Sequence, residues 1–443
     1  MRITASDVSL WAGGTIVGPD PNAVATGVSF DSRTLVEGQA FVAVTGARDG
    51  HQFLVDAART GASFALVHRG RSIPDITCVE VDDTVVALAS IARAVREHLG
   101  RRNGTAIVGI TGSVGKTSTK NFVHSVLSAG FRSTHAAVGS FNNDLGLPVT
   151  VINAPDDCDA MVLEMAMRGH GEIARLCSIA QPNVAVVTLV GDAHSDRVGG
   201  IEGVARAKGE IIECLAPDGT AVVNLDDPWM PALVDRRPEG ASVVTFGAHP
   251  DADVRFEVHD RDDDGRVTAE FVHGASRATC TVPLPGDHMV ANAAAAVAVG
   301  VSLGLGLEVC AAAIPRSAAE SGRMRWVSGR DGLRILDDSY NANSSSMFAA
   351  LEVLAAVPSP RRVAVLGLIA EVSDAAAVHR AVADRARVLG IELFALETDM
   401  YGLTPSTLDD VAAAVEGSPP GTTVLVKGSR VADTGRVVTM LSR

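Results

Sequence analysis

The chain has 443 residues, 47% of them hydrophobic and 20% charged, which suffices for about three domains with buried cores and excludes a disordered chain. Its formal net charge of −14 argues against a nucleic-acid or anionic-membrane binder, whose contact surface would be basic, but leaves anionic small ligands open. Six cysteines without a C-x-x-C pair predict reduced thiols and argue against a disulfide framework or a zinc site.

The chain opens without an apolar signal core. The longest run of small apolar residues, 293–301, is too short and too rich in alanine to span a bilayer. We therefore expect a soluble, cytoplasmic protein that is not inserted in a membrane.

Residues 1–100 alternate short apolar runs with turns and end in an apolar helix predicted over 84–99. This pattern predicts a small α/β domain. Two polar clusters, Asp31–Arg33 and Asp49–His51, are by their own composition typical of turns. Taken alone, these residues assign no site to this part of the chain.

A phosphate-binding loop is predicted where the β-branched run 105–110 meets the glycine-rich stretch 112–117, GSVGKT, before an amphipathic helix. In this arrangement backbone N–H groups and the helix N-terminus face an anion, Lys116 adds a charge, and Thr117 offers Mg²⁺ a hydroxyl. The strict Walker pattern has glycine where Ile110 stands. A glycine-rich turn without a ligand therefore remains the alternative for this motif by itself.

The segment 101–313 alternates strands and helices, which predicts a mostly parallel sheet. Buried strands are predicted at 161–165, 184–189 and 221–224. Ligands of open α/β sheets bind where strands end, and here Glu164 ends one strand while Asp192–His194 follows another. Alternation between residues 251 and 283 predicts an antiparallel side-sheet, followed by an alanine-rich helix.

From residue 314 to residue 443 the pattern predicts a doubly wound α/β domain with polar residues at the ends of its strands. Its strands are predicted within 333–343, 363–367, 392–396 and 423–430, and its helices at 346–357, 374–389 and 406–416.

Four polar residues of the middle segment, Thr117, Glu164, His194 and Lys208, make a coherent set, of which the first three suggest a metal site. Thr117 supplies a hydroxyl, Glu164 a carboxylate, and His194 a nitrogen near a second metal or its waters. An acid directly after an apolar strand needs a partner, which supports Glu164. A lone lysine on a helix is usually a solvated charge, so Lys208 carries little by itself, and His194 alone fits a buried histidine as well as a ligand.

In their order along the chain, these motifs resemble those of the Mur ligases, ATP-dependent amide-forming enzymes of peptidoglycan precursor assembly. GITGSVGKTSTK resembles the family's ATP loop, SFNNDLGLP its asparagine loop, LEMAMRGHGEI its glutamate strand, GDAH its histidine turn and ARAKGEI its lysine helix. PGDHMVANAAAA, SGRMRW and LDDSYNAN resemble its adenine-side helix, its arginine hinge and the first loop of its C-terminal domain.

Within the family, DSRT, GARDGHQF, NNDLGLP, DDSYNAN and KGSR are most similar to MurF-type ligases, which join D-alanyl-D-alanine to a UDP-N-acetylmuramoyl-tripeptide. The resemblance implies a three-domain α/β architecture. A UDP-substrate domain would occupy 1–100, an ATP domain with a central P-loop-type parallel sheet 101–313, and a doubly wound, Rossmann-like domain for the incoming amine 314–443. It also implies that ATP phosphorylates a carboxylate and that the amine then displaces phosphate from the acyl phosphate.

The resemblance also implies roles for single residues. ATP would contact Thr111, Gly112, Ser113, Val114, Gly115, Lys116, Thr117, Ser118, Asn292, Arg323 and Asp338. Mg²⁺ would be held by Thr117, Glu164, His194 and a carbamylated Lys208, and the catalytic residues would be Lys116, His194 and Lys208. The UDP-linked acid and the amine would contact Ser32, Arg33, Asp49, Gly50, His51, Asn142, Asn143, Tyr340, Asn341 and Asn343. The implied partners are the UDP-linked muramoyl peptide, D-alanyl-D-alanine and ATP, without nucleic acid, and we expect a monomer.

The chain departs from the family pattern in a few places. Met289 stands where a polar residue is expected, Ser344 replaces a proline, SDRVGG follows the histidine turn without the expected apolar, glutamate and aromatic residues, and VADTGRVV follows Arg430 without the expected methionine and acid. These positions lie near the acceptor and the third domain, so they bear on the amine more than on the ATP chemistry.

Two alternatives stay open. One is a Mur-ligase relative that acts on another carboxylate, such as a folylpolyglutamate-synthase-like ligase; the DSR and DGH clusters favour a UDP-sugar over it. The other is a Mur-like protein that binds nucleotide without catalysis. Against it, the chain keeps Lys116, Glu164, His194 and Lys208 together.

Overall fold

The computed structural model describes residues 2–192, 195–372 and 374–443. Within these ranges the strands form sheets of five, nine and five strands and one two-stranded ribbon. Most strands of the three larger sheets run parallel, with helices between them, so the α/β prediction is confirmed. None of the helices in these ranges is both long enough and apolar enough to cross a bilayer.

The first sheet has the strand order β2-β7-β6-β5-β4, with β2 antiparallel to its neighbour and the others parallel. The five strands of this sheet are β2 (Thr15–Val17), β4 (Val28–Ser29), β5 (Ala40–Val42), β6 (Ala65–His68) and β7 (Cys78–Val81), while β1 (Ile3–Thr4) and β3 (Val24–Ala25) pair antiparallel as the two-stranded ribbon. The helices are α1 (Ala5–Ala12), α2 (Leu54–Arg59) after a 3₁₀ turn at Gly50–Phe53, and α3 (Thr84–Asn103). Helix α3 extends past its predicted end at Leu99 as far as Asn103, because the αL glycine that caps it is Gly104.

The nine-stranded middle sheet has the order β16-β15-β14-β13-β12-β11-β8-β10-β9. Its strands are β8 (Ala106–Thr111), β9 (Thr134–Ala136), β10 (Ala160–Glu164), β11 (Val184–Val187), β12 (Thr220–Asn224), β13 (Ser242–Gly247), β14 (Val254–Arg261), β15 (Arg266–His273) and β16 (Ser276–Pro285). Its helices are α4 (Lys116–Gly130), α5 (Gly146–Ile152), α6 (Glu172–Ala180), α7 (Ser195–Val198), α8 (Ile201–Glu213), α9 (Met230–Val234), α10 (Asp287–Ser302) and α11 (Leu307–Ala313).

Strand β8 is buried on both faces, because Val108 and Ile110 face one apolar core while Ile107 faces another. It lies between β10 and β11, and all three run parallel. The chain therefore leaves β8 in one direction for β9 and β10 and returns to its other side with β11. Such a reversal of strand order opens a crevice at the carboxyl ends of the strands, where ligands of α/β sheets bind.

The predicted antiparallel strands between residues 251 and 283 are confirmed as β14, β15 and β16. They do not form a separate side-sheet, because β14 pairs in parallel with β13 through Phe246–Val254 and Gly247–Arg255. This pairing satisfies the backbone groups that an edge strand β13 would leave open.

The third sheet has the order β17-β18-β21-β19-β20, parallel except for β17 at its edge. The strands are β17 (Arg325–Ser328), β18 (Arg334–Asp338), β19 (Arg362–Leu366), β20 (Glu392–Ala395) and β21 (Thr423–Lys427). The helices are α12 (Ser344–Ala356), α13 (Ala375–Val388), α14 (Leu408–Val415) and α15 (Gly435–Leu441), with 3₁₀ turns at Ile314–Arg316, Arg330–Gly332 and Arg430–Ala432. All four strands and three helices predicted here are confirmed, within a few residues at their ends.

Contacts across the sheets set the geometry of the crevice. The side-chain amide of Asn153, after α5, accepts from Val28 N at 2.7 Å and donates to Val28 O at 3.0 Å, so it pairs with the edge strand β4 as a neighbouring strand would. Phe30, which follows β4, packs on Phe141 with ring centroids 5.7 Å apart. The first sheet is thereby joined to the segment that carries the asparagine loop.

Candidate active site

The phosphate loop occupies the tight connection between β8 and α4. Gly112 has φ of +155° and Gly115, the residue before α4, has φ of +83°. A Cβ atom on Gly112 would lie 1.9 Å from Thr188 Oγ1, and one on Gly115 would lie 2.4 Å from Asn292 Oδ1. Both positions therefore require glycine, because a side chain would separate the loop from the end of β11 and from α10.

Lys116 is half-buried at the start of α4, and its Nζ donates a 2.6 Å hydrogen bond to Gly112 O. Desolvation lowers the pKa of Lys116; the Glu164 carboxylate opposes this shift and the Arg323 guanidinium adds to it. An ammonium that is disfavoured by burial and by a second cation is stabilised when an anion enters. Lys116, Arg323 and the helix N-terminus thus make the loop suited to a polyanion.

Other loop residues are held by neighbouring segments. Ser113 Oγ donates to Gly191 O at 3.0 Å and accepts from Gly191 N at 2.8 Å, which ties the loop to the turn after β11. Ser118 is buried in the first turn of α4, and the buried hydroxyl of Thr111 has no hydrogen-bond partner among the described residues. The predicted loop residues therefore lie together, tied to the turn that leads to His194.

Glu164 ends β10 beside the loop, and its side chain is almost fully buried, with 1% of the residue exposed. Its Oε2 accepts from Thr117 Oγ1 at 2.8 Å and its Oε1 accepts from Asn142 Nδ2 at 2.7 Å. No basic side chain of the described residues pairs with it within 4.0 Å, so a buried carboxylate is left with two neutral donors. The hydroxyl of Thr117, the carboxylate of Glu164 and the amide of Asn142 thus lie together. This set fits Mg²⁺, which prefers oxygen ligands.

Lys208 lies on α8 with 2% of the residue exposed, and no hydrogen bond joins its Nζ to another described residue. Burial lowers its pKa well below the usual range, and the neighbouring charge of Lys116 lowers it further. Burial thus favours the neutral amine of Lys208, the form that reacts with CO₂ to give a carbamate. His194, the remaining member of the predicted metal site, lies outside the described residues.

The third sheet contributes its polar turn to the same crevice. Asn343 Nδ2 donates to Ser113 O at 3.4 Å, and the Ser344 hydroxyl donates to Asp192 Oδ2 in the turn before His194. The Tyr340 hydroxyl hydrogen-bonds Ser140 in the asparagine loop. The turn predicted for the amine thus meets the phosphate loop, the histidine turn and the asparagine loop.

Arg323 and Asp338 lie at the edge of this crevice. The Arg323 guanidinium lies 4.2 Å above the centre of the Tyr340 ring. Asp338 accepts from Lys427 Nζ and, at 3.2 Å, from Met324 N, while Asn341 O accepts from Lys427 at 3.0 Å. The Asp338 carboxylate, predicted to contact ATP, is therefore already held by the chain's own donors.

Asn292 and Asn143 have local partners. Asn292 Nδ2 donates to the sulfur of Met289 at 3.6 Å. Met289, one of the departures from the family pattern, thus provides a sulfur acceptor one turn before Asn292. Asn143 Oδ1 accepts from Leu145 N and Gly146 N at 3.1 and 2.9 Å, which shapes the start of α5. Its neighbour Asn142 is the one that reaches Glu164.

The two clusters of the first sheet lie apart from this crevice. Arg33 forms a two-point ion pair with Asp31, and 86% of its side chain is exposed; Ser32 lies between them. Asp49 accepts from His51 Nδ1 at 2.6 Å and from Arg71 at 2.8 Å, while Gly50 packs against the backbone of Val44. No hydrogen bond or ion pair in the described part of the chain joins either cluster to the phosphate loop. Both clusters are held by partners in the first part of the chain, and His51 Nε2 also accepts from His68 N at 3.0 Å.

Family models match most of the chain. The model of the Mur ligase middle domain matches residues 110–300, and that of the Mur ligase glutamate ligase domain matches residues 322–430. The chain is 33% identical over 381 residues to the UDP-N-acetylmuramoyl-tripeptide–D-alanyl-D-alanine ligase of Bacillus subtilis (strain 168), covering 84% of this chain and 80% of that protein. It is 32% identical over 437 residues to the enzyme of the same name from Synechocystis, covering 94% and 91%. The chain belongs to the Mur ligase family.

Solved Mur ligases have the same architecture over nearly the whole chain. A crystal structure of MurF from Acinetobacter baumannii superposes with a TM-score of 0.85 at 26% identity, covering 100% of this chain and 99% of that one. MurF from Thermotoga maritima, solved in complex with ADP, superposes with a TM-score of 0.78 at 30% identity, covering 94% and 97%. Within the Mur ligases, the chain is thus most similar to MurF, as the motifs predicted.

Two lysines near the Mur ligase site were not assigned from the sequence. Only four of the 38 basic residues are lysines, at 116, 120, 208 and 427. Lys120 and Lys427, the two without a predicted role, are each about 1–2% exposed and donate several hydrogen bonds. The scarcity of lysine was the signal that could have found them, since surface cations of this chain are arginines.

Thr188 is a further residue that the motifs missed. It follows β11 and is 4% exposed, and its Oγ1 donates a 2.5 Å hydrogen bond to Val114 O inside the phosphate loop. Asn224 Nδ2 in turn donates to Thr188 O at 3.3 Å. The hydroxyl of Thr188 thereby ties the loop carbonyl of Val114 to the end of β11.

We expect Thr188→Val to raise the KM for ATP about tenfold, because the loop carbonyl loses its donor while the shape of the side chain is kept. Thr188→Ser, which keeps the hydroxyl, should stay close to the unmodified protein. Thr105→Val is the matched control: Thr105 is 6% exposed and donates to Cys158 O at 2.6 Å, but at the opposite end of β8. Steady-state kinetics with ATP varied would test this, and an equal effect of the Thr105 variant would contradict it.

Proposed function

We propose that this Mur ligase joins D-alanyl-D-alanine to a UDP-N-acetylmuramoyl-tripeptide and converts ATP to ADP and phosphate. The observation that carries the proposal is the meeting of three motifs in one crevice. The phosphate loop, the Glu164–Asn142 pair and the turn at Tyr340–Ser344 come from distant parts of the chain and contact one another. The full-length similarity to enzymes of this name supports it.

The residues of the crevice have different roles in the reaction. A carboxylate is a poor acyl donor, so the terminal phosphoryl group of ATP is first transferred to it, and phosphate then leaves as the amine attacks. Lys116, the loop N–H groups and Arg323 neutralise charge on the transferring group, which is the main demand of phosphoryl transfer. The contacts from Tyr340 and Ser344 to the middle segment cover the crevice, so that water is kept from the acyl phosphate.

Mg²⁺ would be held by Thr117, Glu164, His194 and a carbamylated Lys208, and would supply charge neutralisation between the phosphates of ATP. The described residues fit this role, because Glu164 is a buried carboxylate that pairs with no basic side chain among them, and burial favours the neutral form of Lys208. Asn142 orients Glu164 by donating to its Oε1.

We propose that the three segments divide the ligands. Residues 1–100 take the UDP end through Ser32, Arg33 and the Asp49–His51 turn, residues 101–313 take ATP, and residues 314–443 take the amine. The joint formed by Phe30 and Phe141 supports a continuous path from the first sheet to the asparagine loop. The enzyme acts as a cytoplasmic monomer; the six cysteines, none in a disulfide, fit a reducing compartment.

Competition between amines tests the function. Equal concentrations of D-alanyl-D-alanine, L-lysine, diaminopimelate and L-glutamate are offered with the same UDP-linked tripeptide and ATP, and the products are separated by mass. We expect D-alanyl-D-alanine to be ligated, because the Tyr340–Asn343 turn offers amide groups to a dipeptide and contains no arginine for a second side-chain carboxylate.

The other outcomes identify the alternatives. Preference for a single amino acid would contradict the assignment to D-alanyl-D-alanine while keeping ligase chemistry. Turnover with a non-UDP carboxylate alone would favour a relative with another acceptor. No ATP turnover with any amine would favour a Mur-like protein that binds nucleotide without catalysis.

A further inference from the structure

Lys120 lies on α4, one turn after the phosphate loop. It is buried, whereas a lysine on a helix is usually exposed to solvent. Its side chain is 2% exposed, and the ammonium donates to Ala137 O at 2.8 Å, Gly139 O at 2.7 Å and Glu320 Oε1 at 3.0 Å. All three ammonium donors are therefore used by protein acceptors. The two carbonyls belong to the segment that leads into the asparagine loop at Ser140.

Glu320 is shared by Lys120 and the arginine hinge. Its Oε1 also accepts from Asn121 Nδ2 at 3.1 Å, and its Oε2 lies 3.8 Å from Arg323 Nε. That Nε is buried and has no hydrogen-bond partner among the described residues. Because Lys120 is the nearer cation, it holds Glu320 on the side of α4 and leaves the Arg323 guanidinium over the Tyr340 ring.

The contacts form a closed ring. Lys120 binds the carbonyl of Gly139, the adjacent Ser140 hydrogen-bonds Tyr340, the Tyr340 ring supports Arg323, and Arg323 and Lys120 share Glu320. Members of the ring come from α4, from the asparagine loop and from the segments just before β17 and just after β18, and residues up to 200 positions apart in the sequence are joined directly. A change at one member is thereby passed to the others.

The composition supports a specific need for lysine at this position. The chain uses arginine for 34 of its 38 basic residues. A guanidinium is larger and planar, and it cannot direct three donors to two carbonyls and a carboxylate in the tetrahedral arrangement of an ammonium. Lysine is used here although arginine serves almost everywhere else.

We propose that Lys120 is a positioning residue for ligation, which acts through Glu320 and Gly139 to hold Arg323, Tyr340 and the asparagine loop in register with the phosphate loop. Lys120 does not contact the nucleotide in this role, since its three donors are occupied by the protein. The inference rests on the proposed ligation. It predicts a defect in the chemical step and in amine use, with nucleotide binding retained.

The test uses Lys120→Met, which keeps the length of the side chain without its charge, and Glu320→Gln, which keeps the shape of its partner. We expect Lys120→Met to lower kcat about 10- to 100-fold, because a misplacement of about 1 Å at reacting groups has effects of this size. The KM for the amine should rise, while the Kd for ADP, measured by calorimetry, should change less than about threefold. Glu320→Gln should show the same pattern with a smaller amplitude.

The double variant distinguishes one coupled network from two contacts that act independently. If both residues act through one network, Lys120→Met with Glu320→Gln should be no worse than Lys120→Met alone, whereas independent effects would multiply. Arg361→Met is the matched control: Arg361 also donates to a carbonyl, Ala414 O at 2.8 Å, and to a carboxylate, Glu392 at 2.7 Å, at the opposite edge of the third sheet. It should lower the melting temperature and leave kcat and KM unchanged.

Three results would overturn the inference: unchanged kcat and amine KM in both single variants, multiplicative effects in the double variant, or a loss of ADP affinity as large as the loss of kcat. Should Lys120→Met fail to fold, Glu320→Gln alone decides, because its side chain is partly exposed and tolerates a neutral amide. If the unmodified protein ligates another amine, the proposed function fails, and the same comparison is then made with that amine.

Discussion

Lys116→Ala should reduce ligation at least ~10²-fold, because the loop loses the charge that neutralises the transferring phosphoryl group. The fold should remain intact, since Lys116 hydrogen-bonds only Gly112 O among the described residues. Burial already disfavours its ammonium, as the lowered pKa shows. Without nucleotide, the melting temperature should therefore be unchanged or slightly higher, which is typical of a residue kept for function at a cost in stability.

The measurement combines turnover with nucleotide-dependent stability. A ligand that binds only the folded state raises the melting temperature, and this rise on adding ADP should be much smaller in the variant. Arg132→Ala is the control, because Arg132 lies after the same helix with 74% of its side chain exposed. Near-normal turnover of Lys116→Ala would remove the loop from the mechanism.

Lys208→Arg should abolish detectable ligation although it keeps a positive charge. The proposed metal ligand is a carbamate, which forms only from a neutral amine, and burial and the charge of Lys116 both lower the pKa of Lys208 towards that form. A guanidinium stays protonated and cannot form it. Activity of the unmodified protein should accordingly fall when CO₂ and bicarbonate are removed and return when they are added.

A readout besides activity comes from ¹³C-labelled bicarbonate, which should give a carbamate carbonyl resonance in the unmodified protein and none in the variant. Lys208→Met, which has a similar volume and no nucleophile, should be equally inactive. Arg206→Lys on the exposed face of the same helix is the control and should retain activity. Full activity without bicarbonate, or an active Lys208→Arg variant, would contradict carbamylation.

Local patterns were enough to predict the parts of the site that lie next to strands. The β-branched run before Gly112, the glycine-rich turn and the helix after Lys116 are contiguous, so their geometry follows from short-range preferences. Glu164 could be placed beside them because parallel strands end at the same edge of a sheet. The hydrogen bond between Thr117 and Glu164 forms because both residues lie at that edge of the sheet.

Other predictions gave the type of local structure but not the contacts that it makes. The clusters at Asp31–Arg33 and Asp49–His51 were recognised as turns, and the structure gives each a local ion pair. The sequence predicted the antiparallel strands between residues 251 and 283 but not their attachment to β13, because the sequence of an edge strand does not identify its partner strand.

The sequence by itself determined the α/β class, the order of the elements, the phosphate loop and the family, since each depends on residues that are neighbours in the chain or follow a fixed period. Only the tertiary structure decided which distant side chains meet: Thr188 with Val114, Ser344 with Asp192, and Lys120 with Glu320. Such contacts depend on how three sheets pack, and packing is set by the sum of many weak apolar contacts that no single motif encodes. In the sequence, Lys120 is an ordinary position of a helix. In the folded protein it is buried, and its ammonium joins α4 to the segment before the asparagine loop and to Glu320.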